Sequence, residues 1–127
     1  MIYLDSSVAL AHVFLESRSP PESLWDQQLV SSELLKYEVW NRIHARGAAR
    51  AHQTARVLIG RMLMVELTAA HLARALEPFP VSIRTLDSLH LATIAFLRVQ
   101  GNDVALASFD RRMIAAARAL GISLYQM

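Results

Sequence analysis

Short apolar runs that stop at an acid or a serine pair and lead straight into a helix constrain this chain more than any other feature. Ile2-Tyr3-Leu4 ends at Asp5-Ser6-Ser7, and a helix from about Val8 to Leu15 is expected next, capped by Asp or Ser. Leu29-Val30 is a second short run, and Ser31-Ser32 after it reads as the next helix start. Val104 to Ala107 is a third; Asp110 then opens a helix from Arg111 to Leu120 that Gly121 ends. Ile122 to Tyr125 is the last strand. Short apolar strands alternating with helices predict an α/β fold, a three-layer α/β/α domain with a mainly parallel central sheet. Between these elements, Leu35, Val39 and Ile43 repeat at four-residue spacing as a core face, and Gly47 interrupts their helix. Helices are expected over about Glu22 to Gln27, Ala48 to Met64, Ala69 to Leu76 and Leu86 to Leu97, with Gly101-Asn102-Asp103 as a turn. There is no repeat, low-complexity tract or linker, so residues 1–127 are expected to form one domain.

Composition removes several functional classes. The chain has no cysteine, which excludes a disulfide scaffold, a thiolate metal site and a cysteine nucleophile, and agrees with a reducing compartment. Hydrophobic residues make up 54%, yet no window approaches the roughly 18 apolar residues of a membrane span. The opening Met1-Ile2-Tyr3-Leu4-Asp5 lacks a basic, leader-like start, so a cytoplasmic location without membrane attachment is expected. The apolar excess is read as surface buried against a partner. Of 13 cations, 12 are arginine, whose planar fork suits phosphate.

Four acids carry the functional expectation. Asp5 follows the first strand, Asp110 follows the Val104–Ala107 strand, Asp87 begins the long helix, and Glu38 lies within an apolar helix between Tyr37 and Val39-Trp40. Singly, an aspartate at a helix start is a cap and a mid-helix glutamate is solvated. Jointly, they are expected to converge where parallel α/β sheets bind ligands, at the carboxyl ends of the strands. Two unit charges 4 Å apart repel by about 4 kcal/mol at an effective dielectric of 20, so such a cluster calls for cations or protons. Oxygen ligands with no His or Cys set select magnesium or manganese. Removing these four acids leaves 13 cations against 7 anions (11 − 4 = 7), the charge layout of a phosphodiester nuclease.

The same residues resemble a known family. Ile2-Tyr3-Leu4-Asp5-Ser6-Ser7-Val8-Ala9-Leu10 resembles the opening of PIN-domain ribonucleases, and more narrowly of VapC toxins from bacterial toxin–antitoxin pairs. Val30 to Val39 resembles their second motif, Arg84-Thr85-Leu86-Asp87-Ser88-Leu89-His90-Leu91-Ala92-Thr93 their third, and Ala107-Ser108-Phe109-Asp110-Arg111-Arg112 their fourth. Ser6 and Ser108 stand where threonine is commoner, and both keep the hydroxyl. The resemblance covers the whole chain and implies a metal-dependent endoribonuclease. Asp5, Glu38, Asp87 and Asp110 would then be the catalytic, metal-binding acids for Mg2+ or Mn2+, with Ser6 or Ser108 holding a ligand water or phosphate oxygen. It also implies an RNA substrate, a cognate antitoxin and a homodimer, and products with 3′-hydroxyl and 5′-phosphate ends.

The remaining polar residues are read more plainly. Glu33 is left out of the site, being five residues from Glu38 and on another helix face. His90 is assigned to packing or a polar contact, and Arg42, Arg46 and Arg50 to a solvated face. For Arg84, Arg111 and Arg112, phosphate contact and carboxylate pairing both stay open. Two other functions compete with this one. A phosphotransferase with an aspartate nucleophile needs a second aspartate two residues on, where this chain has Ser7. A catalytically inactive PIN-like RNA- or protein-binding module is the other; such modules usually lose site acids, and all four stand here.

Overall fold

A computed structural model describes residues 1–127. The elements run β1 (Ile2–Leu4), α1 (Ser6–Val13), a 3-10 turn (Glu22–Asp26), β2 (Leu29–Ser32), α2 (Leu34–Arg46), α3 (Ala51–Gly60), β3 (Leu63–Val65), α4 (Ala69–Leu76), α5 (Thr85–Val99), β4 (Ala105–Ala107), α6 (Arg111–Ala119) and β5 (Ser123–Leu124). Every strand pairing is parallel, and the sheet order is β3-β2-β1-β4-β5. The expected α/β class with a parallel sheet is therefore what the chain adopts.

Successive residues of β1 point to opposite faces, and each face has its own apolar cluster. Ile2 and Leu4 join Val8, Leu35, Val39, Ile43, Ala55 and Leu58 on the α1–α2–α3 side. Tyr3 joins Val30, Leu91, Ile94, Leu106 and Met113 on the α5–α6 side. The Leu35/Val39/Ile43 stripe is fully buried, as its spacing requires. Gly47 ends α2 at φ +59°, a backbone setting that a side chain resists.

Three expectations need correction. The helix expected to run to Met64 stops at Gly60, and Leu63–Val65 is instead an edge strand. It pairs Val30 with Leu63, Ser31 with Met64 and Ser32 with Val65. A three-residue strand has no room to show a period of two, so Leu63-Met64 reads equally well as the end of a helix. Ser31 and Ser32 belong to β2, and α2 starts at Leu34, whose N–H donates to the Ser32 hydroxyl at 3.1 Å. Helix α1 begins at Ser6 and ends two residues early, before Leu15, which takes φ +51°.

The chain lays β1, β2 and β3 outward in one direction, then returns to place β4 and β5 on the other side of β1. The order reverses between β1 and β4. That switch point opens a crevice at the carboxyl ends of the strands, where the flanking connections part.

Candidate active site

Asp5 immediately follows β1 and Asp110 begins the helix after β4, so the switch point places both acids at the mouth of one crevice. The first turn of α5 adds Asp87, and α2 adds Glu38. All four line a cleft of about 500 Å³ together with Ser6, Ser7, Arg42 and Arg84.

Asp5 is buried, yet its side chain caps nothing. Its Oδ2 accepts instead from the hydroxyls of Ser7, at 2.6 Å, and Ser108, at 2.7 Å. Those serines are themselves fixed from the β4–α6 connection. Phe109 N–H donates to Ser7 Oγ and Asp110 N–H to Ser108 Oγ, both at 3.0 Å. The two strand ends are thereby laced together by hydroxyls. Asp110 is a true helix cap: its Oδ1 accepts from the N–H groups of Arg112 and Met113.

Glu38 is held at both oxygens. Ser6 Oγ donates to Oε2 at 3.1 Å, and His90 Nε2 lies 2.6 Å from Oε1. His90 Nδ1 lies 2.6 Å from the Tyr3 hydroxyl, which accepts from Ser32 N–H at 3.2 Å. A carboxylate only accepts, so Nε2 carries a proton; with the ring neutral, Tyr3 O–H donates to Nδ1. Burial pushes the Tyr3 phenol far above its ordinary range, so that proton is always present. His90 thus makes the polar contact expected of it, and the partner is Glu38, one of the four candidate acids.

Asp87 is the least satisfied of the four. Its Oδ2 is buried with no hydrogen-bond partner. Burial raises its pKa from the ordinary 3.8, and the nearby Asp110 and Asp5 charges raise it further against the opposing pull of Arg84 and, when its ring is protonated, of His90. No three His, Asp or Glu side chains close into a ready-made metal cage. The donor set is nonetheless entirely hard oxygen, and Asp87 offers an oxygen that lacks a positive partner. A small cation that keeps several of its waters needs few direct ligands, so it fits a cleft whose acids do not close into a cage.

Ser6 and Ser108, expected to hold a ligand water or a phosphate oxygen, spend their hydroxyl protons on Glu38 and Asp5. Ser7 was not singled out from sequence, and its hydroxyl is as central as theirs. Arg42, expected on a solvated face, lines the cleft. Its signal was the four-residue spacing from Glu38, which puts both on one helix face. Arg84 lines the cleft as well, whereas Arg111 does not.

Comparison with known proteins agrees with this architecture. The PIN domain family model matches residues 2–119. The chain is 36% identical over 130 aligned positions to Ribonuclease VapC46 of Mycobacterium tuberculosis (strain ATCC 25618 / H37Rv), covering 96% of this chain and 94% of that protein. It is 23% identical to Ribonuclease VapC47 of Mycobacterium tuberculosis (strain CDC 1551 / Oshkosh), covering 95% and 93%. The crystal structure of Mycobacterium tuberculosis VapC20, a sarcin-ricin loop cleaving toxin, superposes with a TM-score of 0.71 at 20% identity, covering 91% of this chain and 95% of that one. The chain belongs to the PIN-domain family, among its VapC-type ribonucleases.

Proposed function

We propose that the protein is a divalent-metal-dependent endoribonuclease, the toxin of a toxin–antitoxin pair, and that Asp5, Glu38, Asp87 and Asp110 hold its Mg2+ or Mn2+. The observation that carries this reading is a single cleft lined by all four acids, one of which keeps a buried, unpartnered oxygen. Family membership supports the reaction class.

A bound divalent ion would supply an activated water and offset the charge that develops on the phosphate. The chain's own groups do the rest. Ser7 and Ser108 fix the Asp5 carboxylate, and Ser6 and His90 fix Glu38, so neither has to reorganise when a phosphodiester arrives. Arg42 and Arg84 stand in the cleft wall, where a guanidinium fork can take non-bridging phosphate oxygens.

The deciding experiment pairs two substitutions with two readouts. Asp5→Asn and Asp87→Asn should each abolish most Mg2+- or Mn2+-dependent RNA cleavage, while the metal-free proteins melt at or above the parent's temperature. Cleavage at parental rates in both variants, or in excess chelator, refutes the assignment. RNA binding without cleavage in the parent would favour the inactive binding module.

The partner reading rests on exposed apolar side chains. Leu72 and Leu76 on α4, Val99 at the end of α5, and Tyr37 on α2 lie in solvent. We assign such surface to a second copy of the chain and to an antitoxin. Sedimentation showing only monomer, with no partner recovered from cells, would refute this. No helix is long and apolar enough to cross a membrane; a cytoplasmic location belongs to the same proposal.

A further inference from the structure

On the far side of the Ser108–Asp110 connection from the acid cleft lies a second concavity of about 410 Å³. Its walls carry Arg18, Arg111 and Arg118 with the half-buried rings of Phe109 and Tyr125, and no acidic side chain lines it. A smaller hollow of about 300 Å³ joins the two. It shares Ser7, Leu10 and Asp110 with the acid cleft and Arg18 and Phe109 with the basic groove, and Glu16 completes its lining. Cleft, hollow and groove therefore form one track across the carboxyl end of the sheet.

The arginines of this track are uncommitted. The only basic side chains that touch a carboxylate are Lys36, on Glu33, and His90, on Glu38, so no arginine is neutralised by a carboxylate. Arg18 is nonetheless held in place. Its guanidinium lies 5.1 Å from the Phe109 ring centroid, and Nη1 donates to the Phe109 carbonyl at 3.3 Å. Arg111 and Arg118 lie seven residues apart on α6, two turns along one face and about 10.5 Å along the axis at 1.5 Å per residue. That separation reaches more than one phosphate. Guanidinia without carboxylate partners, one of them held in place, in a groove without acidic side chains form a site for a polyanion.

We infer that this basic groove holds the continuation of a single RNA strand whose scissile phosphate lies in the acid cleft. The inference rests on the endoribonuclease reading above and adds where the substrate runs and which residues grip it. The shared wall at Ser7, Phe109 and Asp110 leads that strand directly from the acids to the arginines.

The test uses Arg111→Gln/Arg118→Gln, with Arg111→Lys/Arg118→Lys as the charge-keeping control. Both side chains are exposed and free of carboxylate partners, and melting curves check that the fold is retained. Binding of a single-stranded RNA long enough to span cleft and groove is measured in chelator across a salt series. The glutamine variant should lower the slope of log K against log salt by about 1.4, at roughly 0.7 per phosphate contact on a single strand. The lysine variant should keep a slope near the parent's. In divalent metal, the ratio of kcat/KM on the long RNA to that on a short RNA confined to the cleft should fall about tenfold in the glutamine variant. An unchanged slope and ratio in an active glutamine variant overturn the groove and leave the endoribonuclease reading standing. A parent that cleaves no RNA overturns that reading instead, and the salt slope still judges the groove. Loss of binding to a polyglutamate peptide with no change towards RNA would assign the groove to an acidic protein segment and overturn the RNA inference.

Discussion

Tyr3→Phe tests the wiring behind Glu38 with little other disturbance. Tyr3 lies in the middle of the sheet at 0% exposure, and phenylalanine keeps its ring, so apolar packing is retained. Only the hydroxyl leaves. Two buried groups then lose their partner: Ser32 N–H, which donates to it at 3.2 Å, and His90 Nδ1, 2.6 Å away. Orphaning a buried polar group costs about 1–3 kcal/mol, and removing the desolvated hydroxyl itself returns part of that. We expect a net loss of about 2–4 kcal/mol, a large share of the 5–15 kcal/mol typical of a domain. Urea unfolding at neutral pH measures it, with the m-value unchanged. Because Tyr3 reaches Glu38 only through His90, the combination with Glu38→Gln should be non-additive by at least about 0.5 kcal/mol. Divalent-ion affinity, followed by calorimetry, should fall about 10–100-fold, the usual cost of losing a group that orients a ligand. A stability loss below about 0.5 kcal/mol, or strict additivity with Glu38→Gln, would refute the hydrogen-bonded chain.

Other outcomes follow from single observations. The raised Asp87 pKa means that its contribution to metal-free stability is present below its ordinary value and is lost as pH rises through the folded value. Asp87→Asn should therefore gain stability on the parent from acid towards neutral pH, by less than about 1 kcal/mol because solvent screens a half-exposed group; a pH series of melting curves checks this. Asp110→Ala loses two cap bonds and should cost about 1 kcal/mol in urea unfolding, whereas Asp110→Asn keeps the cap and should be near neutral in stability yet inactive on RNA. Leu15 sits at φ +51° with 87% of its surface exposed, so Leu15→Gly relieves strain without losing packing. Thermal unfolding should show an unchanged or higher midpoint, by up to about 1 kcal/mol.

The parts of this site that were legible in the sequence are those written locally. Asp5 and Asp110 follow apolar strands within a few residues, so their position at the carboxyl end of the sheet is read from the strand's end alone. The Leu35/Val39/Ile43 stripe fixes which face of α2 turns inward, and the same four-residue spacing sets Arg42 one turn after Glu38. The hydroxyl lacing is different in kind. Ser108 reaches Asp5 across 103 residues, and Tyr3 reaches His90 across 87. Those separations follow from which strands become neighbours, and strand order is not encoded in any short window.

Strand order also makes the site independent of β3. Mistaking β3 for a helix end misses an outer edge of the sheet, two strands from the switch point. The chemistry depends on β1 lying beside β4, whose register sets Leu4 opposite Ala107. That single pairing carries Asp5 to Ser108 and Asp110 together. It also aligns the acid cleft on one side of the β4–α6 connection with the basic groove on the other, because Ser108, Phe109 and Asp110 form the wall between them. A displacement of β4 by one residue would turn its side chains to the opposite face and break the Ser108–Asp5 bond, the Asp110 placement and the track together. The β1–β4 register is thus the element on which cleavage and strand binding jointly depend.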